Sequence, residues 1–153
     1  MDLQRQIFGM QLAKAIQLDL PVIIHMRGTE AEVLEMIARY PSARGVLHSF
    51  NGSLDTALKA ISHGWYVSFS GMVTFRASHD LRAVAAEIPD DRILIETDAP
   101  YLAPEPVRGG VKNRPGNVEY TAAVLARVRN TTLETIRQQT CDNTLRLFNK
   151  IKA

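Results

Sequence analysis

The sequence predicts an α/β fold in which parallel strands alternate with helices, and two observations indicate it. Short apolar runs recur along the chain, and each ends in a polar residue. Segments in which apolar residues have helical spacing lie between these runs. Strands that are apolar throughout are typical of a parallel sheet covered by helices, because both faces of such a strand are buried.

Four apolar runs predict four strands, at residues 21–25, 45–48, 65–70 and 93–96. The first, second and fourth are continuously apolar up to their last residue, which predicts burial on both faces. The third alternates between apolar and polar residues, so we expect it to be less covered.

Helices are predicted where apolar residues recur with a period of about 3.6, because each such stripe is one buried helix face. The stripes are Phe8, Leu12, Ala15 and Ile16; Val33, Met36, Ile37 and Tyr40; Leu54, Ala57, Leu58 and Ile61; Leu81, Val84, Ala85 and Ile88; and Val118, Ala122, Leu125 and Val128. A capping box formed by Thr131 and Glu134 predicts a last helix that runs toward Phe148.

The whole chain, residues 1–153, reads as a single domain without a linker or repeat boundary. Two architectures accommodate four parallel strands. A small open, doubly wound sheet is favoured by length, because a complete (βα)₈ barrel takes about 250 residues. Part of a TIM-type (βα)₈ barrel is favoured by the chemistry at the strand ends.

Composition and charge bound the functional class. Hydrophobic residues make up 46% and charged residues 22% of the chain, as in soluble globular proteins. No apolar run reaches about 18 residues and the first residues are too polar for a signal peptide, so we expect no membrane association. A single cysteine, Cys141, fits a reducing cytoplasm. The net charge of +2 does not by itself indicate nucleic-acid binding.

Polar side chains at the ends of predicted strands indicate a metal site. His25, His48 and Asp98 each lie at or just after such an end. That edge of a parallel sheet is where sites are built, and imidazole and carboxylate groups are ligands for divalent metals. Glu96 lies two residues before Asp98, on the same side of the strand. The alternatives are a structural hydrogen-bonding role for each histidine and an ordinary salt bridge for Glu96.

The same segments resemble the TatD family of metal-dependent deoxyribonucleases, which are amidohydrolase-like barrels. The resemblance covers nearly the whole chain and is most specific in ETDAPYLAP, residues 96–104. The other matching segments are PVIIHMR (21–27), GVLHSF (45–50), SFSG (68–71), Asn113-x-Pro115 and residues 143–148.

This resemblance implies a function and roles for residues. His25 and His48 would be ligands of one divalent metal. Asp98 would bind a second metal and accept a proton from the attacking water, with Glu96 supporting it. The metals would be magnesium or manganese, with zinc as the alternative. The reaction would be an exonuclease-like hydrolysis of DNA at single strands or 3′ ends.

Further residues are candidates for binding that substrate. Arg27 and Arg108 offer positive charge for DNA phosphates, and Asn113 lies in the long loop 99–117. The alternative is that the basic residues of this loop form an ordinary solvated surface and bind no anion. Tyr101 and Phe50 flank the site and could stack on a base, or they are packing residues.

The chain departs from the family pattern in one respect. Family members carry an H-x-H pair on their first strand and a metal-bridging glutamate on a later one, and neither has a counterpart here. We therefore expect residues 1–153 to be the C-terminal half of the barrel, with an incomplete two-metal site. Such a half should self-associate or pair with an N-terminal half, because its sheet has open edges.

Two other functions stay open at this point. In the first, the chain is a catalytically incomplete half-barrel that acts as an assembly or binding module, or is a truncated product. In the second, it is a related metal hydrolase that acts on substrates other than nucleic acids.

Overall fold

The computed structural model describes residues 2–110 and 112–151, which fold into six α-helices around one parallel sheet. The strands are β1 (Val22–His25), β2 (Gly45–His48), β3 (Tyr66–Phe69) and β4 (Ile93–Ile95). The helices are α1 (Asp2–Leu18), α2 (Glu30–Arg39), α3 (Leu54–Ser62), α4 (His79–Glu87), α5 (Val118–Val128) and α6 (Leu133–Leu147). All four strands lie where the apolar runs predict them.

The order of the strands decides between the two predicted architectures. They lie side by side as β1-β2-β3-β4, and each neighbouring pair is parallel. A doubly wound sheet reverses its strand order at a switch point, whereas a (βα)₈ barrel adds each strand next to the preceding one. The sequential order therefore matches four successive strands of a barrel, and the doubly wound alternative is wrong.

The sheet has two differently covered faces. On the face toward the helices, Leu47, Val67 and Ile93 belong to the main hydrophobic core. On the other face, Val46, Tyr66 and Leu94 form a second cluster with Leu147 at the end of α6. This second face corresponds to the interior of a barrel.

Burial departs from the sequence prediction in three places. All four residues of β3 are buried, so the expectation of a less covered strand is wrong; α6 residues cover its inner face. Ile23 of β1 is 60% exposed although its run is apolar, because β1 is an edge of the sheet. Leu58, predicted to face the core, is exposed on α3.

Helix α6 is attached to the sheet by a buried amide. The side chain of Asn143 is 2% exposed, and its Nδ2 donates hydrogen bonds to the carbonyl oxygens of Asp90 (2.8 Å) and Ile93 (2.9 Å). Arg44 also donates a hydrogen bond to the carbonyl oxygen of Leu147. The two Asn143 bonds fix the start of β4, and with it the position of the polar segment that follows.

The last helix begins one residue later than predicted. Thr132, not Thr131, is the N-cap, and its Oγ1 accepts a hydrogen bond from the N–H of Thr135 (3.0 Å). The prediction was wrong because neighbouring threonines offer the same hydroxyl, and only the backbone path selects between them.

Ser53 is the corresponding cap of α3, and its substitution gives a defined loss of stability. Its Oγ accepts a hydrogen bond from the N–H of Thr56 at 3.2 Å. We expect Ser53→Ala to lower the free energy of unfolding by about 1 kcal/mol, the usual value for a lost serine cap. Urea denaturation followed by circular dichroism measures this loss, and an unchanged midpoint would contradict the assignment.

Within residues 2–110 and 112–151, no helix combines the length and the apolar character that crossing a membrane requires.

Candidate metal centre

The carboxyl ends of the strands bring three of the predicted site residues together. His48 is the last residue of β2, and Glu96 extends β4 through a hydrogen bond from its N–H to the carbonyl oxygen of Phe69 (3.1 Å). Asp98 follows two residues later. Ligand atoms of His48, Glu96 and Asp98 all lie within 4.8 Å of one another.

His48 lies between the two carboxylates. Its Nδ1 is 2.6 Å from Oε2 of Glu96, and its Nε2 is 3.0 Å from Oδ1 of Asp98. The three side chains are 26%, 18% and 19% exposed, so water only partly screens their charges. The site therefore holds two acidic groups and one imidazole, all partly buried.

Hydrogen bonds from two other strand ends hold the carboxylate of Glu96 in place. Its Oε1 accepts a hydrogen bond from the N–H of Ser49 (2.6 Å), and its Oε2 lies against Nδ1 of His48 and the hydroxyl of Ser68 (2.9 Å). Three donors satisfy this carboxylate, which fits the supporting role predicted for Glu96. A carboxylate that fixes a histidine through its second ring nitrogen is a common partner of metal-binding imidazoles.

The donor set fits a divalent metal. A neutral imidazole carries one N–H, and we assign it to Nδ1 because Glu96 accepts there at the shorter distance. The lone pair of Nε2 then faces Oδ1 of Asp98, an arrangement that needs a second proton or a cation. Neighbouring ligands of an octahedral ion with bonds of about 2.1 Å are themselves about 3.0 Å apart, as these two atoms are.

His25 lies next to this group without being part of it. The strand register pairs His25 with His48, and their ring centroids are 6.0 Å apart. His25 is exposed on β1. Among the described residues, the cluster able to hold a metal consists of His48, Glu96 and Asp98, so the ligand role of His25 stays a prediction.

Three serines complete the site, and the sequence patterns predict no role for them. Ser49 donates a hydrogen bond from its Oγ to Oδ2 of Asp98 (2.8 Å), and its Oγ lies 2.9 Å from that of Ser70. Ser68 bonds Glu96, as described above. A signal did exist: hydroxyl residues inside the apolar β3 run need buried partners.

Asn113 organises the long loop. It is 5% exposed, and its Nδ2 donates to the carbonyl oxygen of Tyr101 (2.7 Å) while its Oδ1 accepts from Asn117 (2.9 Å). Its amide is thereby engaged within the loop, and the predicted substrate contact stays a prediction.

The two candidate arginines have different surroundings. Arg108 stacks over the ring of Phe75 at 3.8 Å and lies 4.0 Å from Glu105. Arg27 is exposed just after β1 and the site edge. Substrate binding by either residue stays a prediction.

The two candidate aromatic residues also differ. Phe50 is 2% exposed and packs edge-to-face on Phe69, so its packing alternative is confirmed. Tyr101 is 74% exposed, so core packing does not explain its presence beside Asp98.

Comparison with known proteins gives a consistent result. Residues 1–149 match the sequence profile of the family described as TatD related DNase. The chain is 38% identical over 149 residues to YabD of Bacillus subtilis (strain 168), covering 96% of this chain and 58% of that protein. It is 42% identical over 134 residues to YcfH of Escherichia coli (strain K12), covering 86% and 50%. Both relatives are described as uncharacterized metal-dependent hydrolases.

Solved structures share the fold of this chain. The crystal structure of YJJV, a TatD homologue from Escherichia coli K12, superposes with a TM-score of 0.85 at 33% identity, over 92% of this chain and 54% of that one. An amidohydrolase from Saccharomyces cerevisiae shares the fold, with a TM-score of 0.82 at 20% identity over 96% and 60%. The chain spans between 50% and 58% of the length of the bacterial relatives named above. The chain belongs to the TatD family.

Proposed function

We propose that this chain carries the C-terminal half of the active site of a metal-dependent hydrolase that cleaves DNA phosphodiester bonds from single-stranded or 3′ ends. The observation that supports it most is the contact of His48 and Asp98 at 3.0 Å on the strand-end edge, with Glu96 behind the imidazole. His48 Nε2 and Asp98 Oδ1 would hold the metal, which we propose to be magnesium or manganese.

Glu96 and Asp98 have different roles in the proposed hydrolysis. When bound, a divalent cation supplies positive charge beside the phosphoryl group and makes an attacking water more acidic. Glu96 keeps the ring of His48 oriented by accepting from Nδ1. Asp98 accepts the proton of the water, because a carboxylate has about four lone-pair sites and Ser49 occupies one of them.

Substrate contacts complete this proposal. Arg27 and Arg108 are cationic side chains that would hold DNA phosphates, and contacts with phosphates contribute a large share of the binding free energy in such complexes. Asn113 would contribute to substrate binding indirectly. Its side-chain amide donates a hydrogen bond to the carbonyl oxygen of Tyr101 and so holds the loop that carries this exposed ring.

Nucleotide release from a single-stranded oligonucleotide tests the proposal. We expect release in the presence of Mn²⁺ or Mg²⁺, none in EDTA, and loss of release in His48→Ala. The Ser53→Ala variant controls for stability, because it removes a helix cap rather than a site residue. Metal-independent release, or equal release by His48→Ala, would contradict the proposal.

A second candidate function is favoured by the exposed apolar surface. Ile23 on the inner face is 60% exposed, and Leu3 and Met10 on one side of α1 are 67% and 72% exposed. We propose that these surfaces are covered by self-association or by an N-terminal half-barrel, so that the isolated chain is an assembly module. Mn²⁺ binding without nucleotide release, by a chain that elutes as an oligomer, would favour this candidate over the hydrolase.

A further inference from the structure

We propose that Ser49 is the positioning residue of this centre, in that its hydroxyl group selects which oxygen of Asp98 faces His48. This inference rests on the proposed function, since it concerns the same site. It assigns no contact with substrate to Ser49, which acts through the carboxylate of Asp98.

The backbone of Ser49 has an unusual conformation. Its φ angle is +47°, in the left-handed region that residues other than glycine rarely adopt. Ser49 is nevertheless 4% exposed and follows directly after the metal-binding candidate His48. Such a conformation persists where the surroundings compensate its cost, and these positions cluster at functional sites.

Two hydrogen bonds provide that compensation. In this conformation the N–H of Ser49 donates to Oε1 of Glu96 at 2.6 Å, and its Oγ donates to Oδ2 of Asp98 at 2.8 Å. A single residue of the β2 end thus holds both carboxylates that follow β4. Neither bond can form unless β4 is in register with β2. Ser49 therefore couples the end of β2, which carries His48, to the two carboxylates after β4.

Ser70 fixes the direction of the Ser49 hydroxyl. The two Oγ atoms are 2.9 Å apart, and Ser70 is 1% exposed. A hydroxyl has one proton. Because Asp98 as a carboxylate only accepts, the proton of Ser49 goes to Asp98 and that of Ser70 goes to Ser49. Ser70 precedes a 3₁₀ turn at Gly71–Thr74 but makes no side-chain capping bond there, so its hydroxyl is available for this role.

These hydrogen bonds determine the orientation of the Asp98 carboxylate. With Oδ2 held by Ser49, Oδ1 is the oxygen that lies 3.0 Å from Nε2 of His48. Without the hydroxyl, the carboxylate would rotate about its terminal bond, which has a broad torsional preference. The two ligand atoms would then no longer be preorganised for a metal.

Mn²⁺ titration of the whole chain by calorimetry tests this inference. The variants are Ser49→Gly, Ser49→Ala and Ser70→Ala, and Ser53→Ala is the control, since it loses a hydroxyl that caps a helix outside the site. We expect the dissociation constant to rise about 10- to 100-fold in both Ser49 variants, the usual effect of losing a partner of a metal ligand. Ser70→Ala should weaken binding less, and Ser53→Ala not at all.

The two Ser49 variants separate the hydroxyl from the backbone. Glycine adopts a φ of +47° without strain, whereas alanine does not. We therefore expect Ser49→Gly to melt at a higher temperature than Ser49→Ala while both bind Mn²⁺ equally weakly. Binding of Mn²⁺ by Ser49→Gly with the wild-type affinity would overturn the inference and leave the proposed function intact.

A double-mutant cycle provides a readout that requires no metal. The melting temperatures of Ser49→Gly, Asp98→Ala and the double variant are compared with that of the wild type. We expect non-additive changes, because the hydroxyl stabilises the fold only when Asp98 is present. Additive changes would overturn the inference. Non-additive changes in a chain that takes up no Mn²⁺ would leave Ser49 as the positioning residue and contradict the proposed function.

Discussion

The Asp98→Asn variant is expected to lose metal-dependent nucleotide release by about 10²- to 10⁴-fold, the contribution of a positioned proton acceptor. The amide has nearly the same shape as the carboxylate, so the fold should persist. It carries no charge for a metal, it is a poor proton acceptor, and its N–H₂ group would face either Nε2 of His48 or the hydroxyl of Ser49. Release of nucleotides by both proteins, at equal concentration in Mn²⁺, measures the effect.

Asp55→Asn is the matched control for this substitution. Asp55 is an exposed carboxylate on α3 that pairs with Lys59 at 2.7 Å, and it lies outside the cluster of His48, Glu96 and Asp98. Its amide variant should keep the activity of the wild type. Activity in Asp98→Asn within twofold of Asp55→Asn would show that Asp98 takes no part in proton transfer.

The Gly45→Ala variant is expected to lose about 3 kcal/mol of the free energy of unfolding, at the upper end for overpacking. A Cβ atom at Gly45 would lie 2.1 Å from the carbonyl oxygen of Val22 and 2.5 Å from Cζ3 of Trp65. The first neighbour is backbone of β1, and the second belongs to a fully buried indole. Moving the first would separate β1 from β2, which carries His48, and moving the second would disturb the hydrophobic core.

Urea denaturation compares this variant with Gly116→Ala. A Cβ atom at Gly116 meets no other atom within 4 Å, so this control should leave stability unchanged or raise it slightly. Equal midpoints for the two variants would contradict the close packing of β1, β2 and Trp65.

Much of the fold and part of the site could be predicted from local patterns. Strands β1, β2 and β4 lie where the apolar runs predict them, because burial on both faces of a strand leaves a clear signal in sequence. The contact between His48 and Asp98 followed from the rule that parallel strands share one functional edge.

The remaining features depend on contacts between distant segments. Tyr66 is buried because Leu147 covers the inner face of the sheet, and no local pattern links those positions. The left-handed backbone of Ser49 and the three donors to Glu96 arise only from the relative positions of β2, β3 and β4. Ile23 has the sequence of a buried residue but lies on an edge strand, where nothing among the described residues covers it.

The central claim is that His48 and Asp98 bind a divalent metal while Glu96 supports the imidazole. A crystal of the chain soaked in Mn²⁺, measured for anomalous scattering, tests this most directly. We predict a peak within bonding distance, about 2.2 Å, of Nε2 of His48 and Oδ1 of Asp98, with Nδ1 of His48 still hydrogen-bonded to Glu96. Two results would contradict this claim. One is a peak bonded to Glu96, with the ring of His48 turned away from that carboxylate. The other is the absence of any peak at these residues at saturating Mn²⁺.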